Sequence, residues 1–225
     1  MIIFDEDIFV CVNPLLFFAI NLNQMKLSLF PYVFFAILTA CSPEGNEDYN
    51  KLAARIEKGI NVVVEIPAGT NHKIEYQAEK GVFANDLVDG KNRVIDFLPY
   101  PGNYGFIPST FMDPKSGGDG DALDVLVIGE SQATGSVLKA LPVAVLLLKD
   151  KGELDSKIIA VPLDLSKRTM KIDNFKDLLI EYDAAKRIIE AWFLNYKGFG
   201  EMELISWQDE AYAWKEIERW EVIAH

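Results

Sequence analysis

The sequence predicts an α+β domain in which a small closed sheet is followed by helices. Two observations carry this. At least five short runs rich in β-branched and apolar residues lie between positions 61 and 163, separated by Gly, Pro and Asp. Beyond them, two segments place apolar residues at helical spacing.

The chain has 225 residues, half of them hydrophobic, which is enough for one domain of moderate size with a real core, plus appendages. Its formal net charge of −12 argues against nucleic acid or an anionic membrane surface as a partner for the surface as a whole. An anionic small substrate must then be met by a local cluster of metals and cations. Cys11 and Cys41 are the only cysteines and both fall early, so the globular part has neither a disulfide framework nor a zinc–thiolate site. His72 and His225 are the only histidines. A histidine zinc centre or a catalytic triad is close to excluded.

In order, residues 1–24 open with Asp5-Glu6-Asp7, acidic where a signal should be basic. They read as an upstream extension, with translation beginning at Met25. Residues 25–40 have the grammar of a secretory signal: Met25, Lys26, an apolar run and small residues at a cleavage point. The run is short of the roughly 20 residues a membrane span needs. Leu38-Thr39-Ala40-Cys41 resembles a bacterial lipobox, which implies cleavage before Cys41 and lipidation of its sulfur. The expected location is the cell envelope, held by the lipid anchor only. Residues 41–60 read as a polar tether and a short amphipathic helix, Tyr49 to Lys58, ended by Gly59.

The domain proper, 61–225, opens with a strand at Asn61–Pro67, in which Glu65 interrupts an apolar run. Lys73-Ile74-Glu75-Tyr76 alternates with period two, as an ordinary solvated strand face does. Arg93–Leu98 reads as a strand reached through the Asp89-Gly90 turn. Pro99–Pro108, dense in Pro, Gly and aromatics, reads as a rigid loop presenting the hydroxyls of Tyr100 and Tyr104, or equally as core packing of both rings. Leu141–Leu148 and Lys157–Leu163 are apolar strands, and the turn between them holds Asp150 and Asp155. Phe175–Tyr196 reads as one helix closed by Lys197 and Gly198, and Gln208–Val222 as another.

The run Gly117–Ile128 organises the rest. Asp119, Asp121 and Asp124 fall within six positions, between glycines and the apolar strand Val125–Ile128. On a strand Asp119 and Asp121 point the same way, and the glycines let Asp124 join them. Three like charges so close repel unless a cation neutralises them, and hard divalent ions such as Mg2+ take oxygen ligands of this kind. An acidic turn is the plainer reading of an isolated D-x-D. A calcium loop fails, because Leu123 and Asp124 stand where a ligand and a glycine are required.

From about Glu65 to Lys197 the chain resembles the soluble, family I inorganic pyrophosphatases. The signature is Asp119-Gly120-Asp121-Ala122-Leu123-Asp124. In register with it stand Glu65-Ile66-Pro67, Lys73 with Glu75, Arg93, Tyr100-Pro101 with Asn103-Tyr104-Gly105, Asp150 and Asp155 with Lys157, and Tyr196-Lys197. The resemblance implies a small closed five-stranded β-barrel (OB-like) with flanking α-helices, and hydrolysis of pyrophosphate with several Mg2+ ions per site. It implies that Asp119, Asp124 and Asp155 hold a central metal pair, with Asp124 bridging. Asp150 would share a further ion with Asp155, and Glu65 would hold a metal that arrives with substrate. Asp121 would be the general base. Lys73, Arg93, Tyr104, Tyr196 and Lys197 would grip phosphate, supported by Glu75, Tyr100 and Lys157. Bacterial relatives imply a homo-oligomer, a hexamer, and a cytoplasmic location as the alternative to the envelope. The competing functions are an envelope-tethered metal or phosphate binder without turnover, and hydrolysis of another phosphoanhydride such as a nucleotide.

Overall fold

The structure is a computed structural model that describes residues 48–222. The upstream extension, the signal and Cys41 lie outside the described residues. A 3-10 turn at Tyr49–Lys51 leads into β1 (Arg55–Ile56) and β2 (Gly59–Ile66). Two small hairpins follow, β3 (Ile74–Gln77) with β4 (Val82–Asn85), and β5 (Leu87–Val88) with β6 (Lys91–Asn92). Then come β7 (Asn103–Phe106), β8 (Asp124–Val127), β9 (Val137–Asp150) and β10 (Glu153–Pro162). Two helices, α1 (Phe175–Glu181) and α2 (Asp183–Asn195), precede β11 (Met202–Asp209) and α3 (Glu210–Trp220).

The main sheet runs β1-β2-β7-β8-β10-β9-β11, and β2 pairs with β9 as well. Only the β8–β10 pair is parallel. The β9 strand serves three neighbours. Its first residues pair with β2 through Ile60↔Ala140 and Val63↔Val137, while β10 and β11 flank its later part. At Gly105 in β7 a Cβ would run into the Val63 carbonyl oxygen, so glycine is what lets β7 lie this close to β2.

Successive residues of the central strands feed two apolar clusters. In β10, Ile159 and Val161 join α1 and α2 through Leu178, Ile189 and Phe193. Ile158 and Ala160 join α3 through Ala213, Ile217 and Trp220. Side chains alternate across a strand, so a strand covered on both faces must be apolar at every position. That explains the unbroken apolar runs in β9 and β10.

The structure departs from the sequence reading in several places. Tyr49–Lys58 is a 3-10 turn and a two-residue strand rather than a helix. Gly59 is the first residue of β2, where a Cβ would meet the Ala140 carbonyl. Arg93–Leu98 forms no strand; its one ladder contact is the bridge His72↔Val94. The tyrosine loop contains a strand, β7, and both rings are core. Asp150 and Asp155 sit on β9 and β10, because the turn has shrunk to Lys151-Gly152, both at positive φ (50° and 93°). The Phe175–Tyr196 helix breaks at Tyr182 (φ −133°, ψ 31°), and β11 precedes the last helix.

Candidate active site

A cleft of about 550 Å³ opens beside the start of β8, and Glu65, Lys73, Glu75, Asp121 and Asp124 line it. Each arrives by a different local device. Glu65 is the buried charge in β2, and its carboxylate accepts from the Tyr76 amide at 2.7 Å. Burial lifts its pKa to about 7, against the opposing pull of that N–H and of the Lys73 ammonium. Lys73 precedes β3 and pairs with Glu75 at 3.0 Å. Burial works against its charge, but the Glu75 and Asp124 carboxylates help hold its pKa above the ordinary lysine value.

Asp119 and Asp121 are not on a strand. They occupy the turn before β8, where the Asp119 carboxylate accepts from the Asp121 amide at 3.0 Å. Met112 pins this turn: its N–H donates to the Asp121 carbonyl at 2.8 Å and its carbonyl accepts from Gly120 at 2.9 Å. Partial burial, then the nearby Asp124 charge, raises the pKa of Asp121. Asp119 is raised in the same way, although the Asp121 N–H opposes it.

Behind the cleft, Asp155 and Lys157 point to one face of β10, and the Lys157 ammonium lies between the Asp124 and Asp155 carboxylates, paired to both. Lys157 is 3% exposed, yet the two carboxylates hold its pKa well above normal despite burial. Tyr104 packs on Phe193, and Tyr100 sits 4.5 Å from Trp192, so both rings are core. Burial raises both phenol pKa values, so each O–H stays protonated and can donate to an anion. Tyr196 stacks on Trp192 at 4.7 Å, just past α2. Lys197 follows and pairs with Asp150 at 2.6 Å.

Among the described residues no three Asp, Glu, His or Cys side chains close around one point. Lysines stand against the carboxylates instead, and Asp150 Oδ1 is buried with no hydrogen-bond partner. Buried carboxylate oxygens, one of them unpartnered, are what a hard divalent cation takes. The donor set fits such an ion.

Of the expected site residues, Glu65, Lys73, Glu75, Asp121 and Asp124 line the cleft, while Arg93, Tyr100, Tyr104, Asp119, Asp150, Asp155, Lys157, Tyr196 and Lys197 lie outside its lining. Arg93 instead pairs with Asp86 at 3.1 Å, a partner the sequence does not reveal. Main-chain bonds tie the three residues together: Lys73 N–H to Arg93 C=O at 3.0 Å, Asp86 N–H to Lys73 C=O at 2.8 Å, and Arg93 N–H to Asp86 C=O at 2.7 Å. Sequence reasoning also missed that Tyr76, Phe106 and Phe111 line the cleft; aromatic residues in short strands look like core.

The cleft brings one cation, Lys73, against the carboxylates of Glu65, Asp121 and Asp124, and the exposed Asp121 can take a proton there. A family model described as inorganic pyrophosphatase matches residues 62–222. An inorganic pyrophosphatase from Neisseria meningitidis serogroup B is 39% identical over 169 residues, covering 72% of this chain and 88% of the relative. One from Sulfolobus acidocaldarius is 42% identical over 139 residues, covering 61% and 73%. Among solved structures, the inorganic pyrophosphatase of Thermus thermophilus superposes with a TM-score of 0.65 at 28% identity, covering 76% of this chain and 95% of that one. The Neisseria gonorrhoeae protein gives 0.61 at 33%, covering 76% and 96%. The chain belongs to the inorganic pyrophosphatase family.

Proposed function

We propose that the chain hydrolyses inorganic pyrophosphate to two phosphates, using a water activated in the presence of Mg2+. The observation that carries this is the convergence of Glu65, Lys73, Asp121 and Asp124 on one cleft in a chain of this family. Asp119, Asp124, Asp150, Asp155 and Glu65 would hold Mg2+. Such ions neutralise a polyanionic substrate and lower the pKa of bound water.

The chain's own groups do the rest. Asp121, exposed at the cleft and raised in pKa, takes the proton of the attacking water as the new P–O bond forms. Lys73, Arg93, Tyr104, Tyr196 and Lys197 hold phosphate oxygens. The lysines and Arg93 offset charge as it moves to the leaving phosphate. Lys157 and Glu75 fix Asp124 and Lys73, and Tyr100 keeps a protonated hydroxyl beside Lys73. The water oxygen bonds to one phosphorus, the bond from that phosphorus to the bridging oxygen breaks, the bridging oxygen leaves on the other phosphate, and the two water protons end on the two phosphates.

Phosphate release from pyrophosphate by the purified protein, with and without Mg2+ and with ATP for comparison, tests this. Fast release that needs Mg2+, with little from ATP, is the expected result. Release from neither, by a folded protein that still binds Mg2+, would leave a binding module.

We further propose that β2-β7-β8-β10-β9 is an OB-like closed five-stranded barrel, supported by the return pairing of β9 onto β2. A homo-oligomer, hexameric by resemblance, and lipid attachment at Cys41 in the cell envelope are also proposed. Cys41→Ala should abolish labelling with a fatty-acid probe and release the protein from membranes. Wild-type protein found unprocessed in the cytosol would overturn the anchor.

A further inference from the structure

Part of the cleft lining has no role in pyrophosphate hydrolysis as proposed. Pyrophosphate offers only oxygens, which Lys73 and cations held by the carboxylates would meet. The same lining also carries aromatic and apolar groups, Tyr76, Phe106, Phe111 and Val222, with Phe106 opposite Asp124 on the β7–β8 ladder and the Tyr76 amide bonded to Glu65. A volume of about 550 Å³ is in the range that takes a whole organic ligand.

This wall is built firmly. Tyr76 stacks on Phe106 at 6.0 Å, with planes 19° apart, and Phe83 and Tyr49 pack on Tyr76 at 5.1 and 5.2 Å. Phe111 is tied at its amide, which donates to the Trp220 carbonyl at 2.8 Å, yet its side chain stays 45% exposed. The adjacent Ser109 holds a left-handed backbone (φ 51°), which a non-glycine residue keeps only where its surroundings enforce it. Those surroundings are explicit. Its hydroxyl donates to the carbonyls of Asn50 (3.0 Å) and Leu52 (2.8 Å), and its own carbonyl accepts from Val222 at 2.8 Å. The entering and leaving ends of the described chain are thereby clamped to the segment that carries Phe111.

The wall is also in fixed register with the acidic end. Thr110 Oγ accepts from the Leu123 amide at 2.9 Å, and Met112 is bonded to both Asp121 and Gly120. The segment that carries Phe111 is therefore held in fixed register with Asp121. A ligand that uses both the polar and the aromatic lining must carry a diphosphate and a flat apolar group.

From this geometry we propose that the Tyr76–Phe106–Phe111 wall is a subsite for the flat apolar substituent of an organic diphosphate, which binds with its diphosphate in the place of pyrophosphate. This rests on the pyrophosphate reading of the acidic end. No turnover of the organic ligand is implied. An aromatic contact of this kind is worth enough to raise affinity by roughly tenfold.

The test uses two non-hydrolysable probes on the full chain with Mg2+ present: methylenebisphosphonate, and the same molecule carrying a benzyl group on its central carbon. Calorimetry gives both dissociation constants, and competition against pyrophosphate locates the binding. The benzyl probe is expected to bind about tenfold more tightly. Phe111→Ala should bring the ratio of the two constants to near one, and Phe111→Trp should preserve it. Affinity for the unsubstituted probe shows in each variant that the acidic end is intact. Equal affinities in wild type, or a preference that survives Phe111→Ala, overturns the proposal. Failure of the pyrophosphate reading would show separately, as no phosphate release from pyrophosphate by the same preparation.

Discussion

Replacing Asp121 by Asn lowers pyrophosphate turnover by about 10²–10⁴-fold, the range a positioned general base contributes, and leaves the unfolding transition in place. The structure separates the two effects. Asp121 is bound into the fold by its main chain, through its carbonyl to Met112 and its amide to Asp119. The side chain is exposed in the cleft. Asparagine keeps the size and the main-chain bonds but cannot accept the proton. The deficit should narrow at high pH, where hydroxide is more abundant and less needs to be abstracted. Steady-state phosphate release across pH, beside a thermal melt, reads both. Wild-type turnover in the variant would remove Asp121 from the base role.

A second large effect falls on stability. Lys157 is buried between two carboxylates, and removing one partner of a buried ion cluster costs about 3–5 kcal/mol, because the remaining charges are left uncompensated. Lys157→Met, similar in volume and apolar, should lose about that much in urea unfolding with chelator present. Added Mg2+ should then recover more stability in the variant than in wild type. The orphaned Asp124 and Asp155 would gain a replacement cation, and a ligand that binds only the folded state stabilises it by mass action. Equal stability of variant and wild type without metal would show that the cluster contributes nothing.

Much of this was legible in the chain, and the exceptions are physical. β2, β9 and β10 were readable because they are covered on both faces over long unbroken apolar runs. The missed strand β11 is exposed at Glu203, Leu204 and Ile205, so no alternation marks it. Arg93–Leu98 misled in the opposite direction. Val94, Phe97 and Leu98 are apolar, yet they are 47%, 41% and 63% exposed, and one bridge is all the pairing they make. Helix periodicity continued through Tyr182, where the backbone itself turns aside.

At the site, residue types were legible and contacts were not. Nothing in the sequence showed that Lys157, expected only to support the phosphate grip, would be buried while Lys73, expected to grip phosphate, lines an open cleft. Asp86 was invisible as the partner of Arg93, because the contact depends on how the intervening chain folds back. The aromatic wall was hidden for a similar reason. Phe106 and Phe111 flank a serine whose backbone conformation no sequence rule predicts.

The main-chain ring formed by Lys73, Asp86 and Arg93 has an architectural consequence. Both feet of the β5–β6 excursion are fastened at that ring, so the excursion hangs from the cleft like a detachable handle. Lengthening or trimming it at the Asp89-Gly90 tip changes only an exposed loop, whose closure entropy varies slowly with length. The two cations keep their separation in space while their separation along the chain drifts. Lineages could thus insert or delete residues between Lys73 and Arg93 without retuning the grip on substrate.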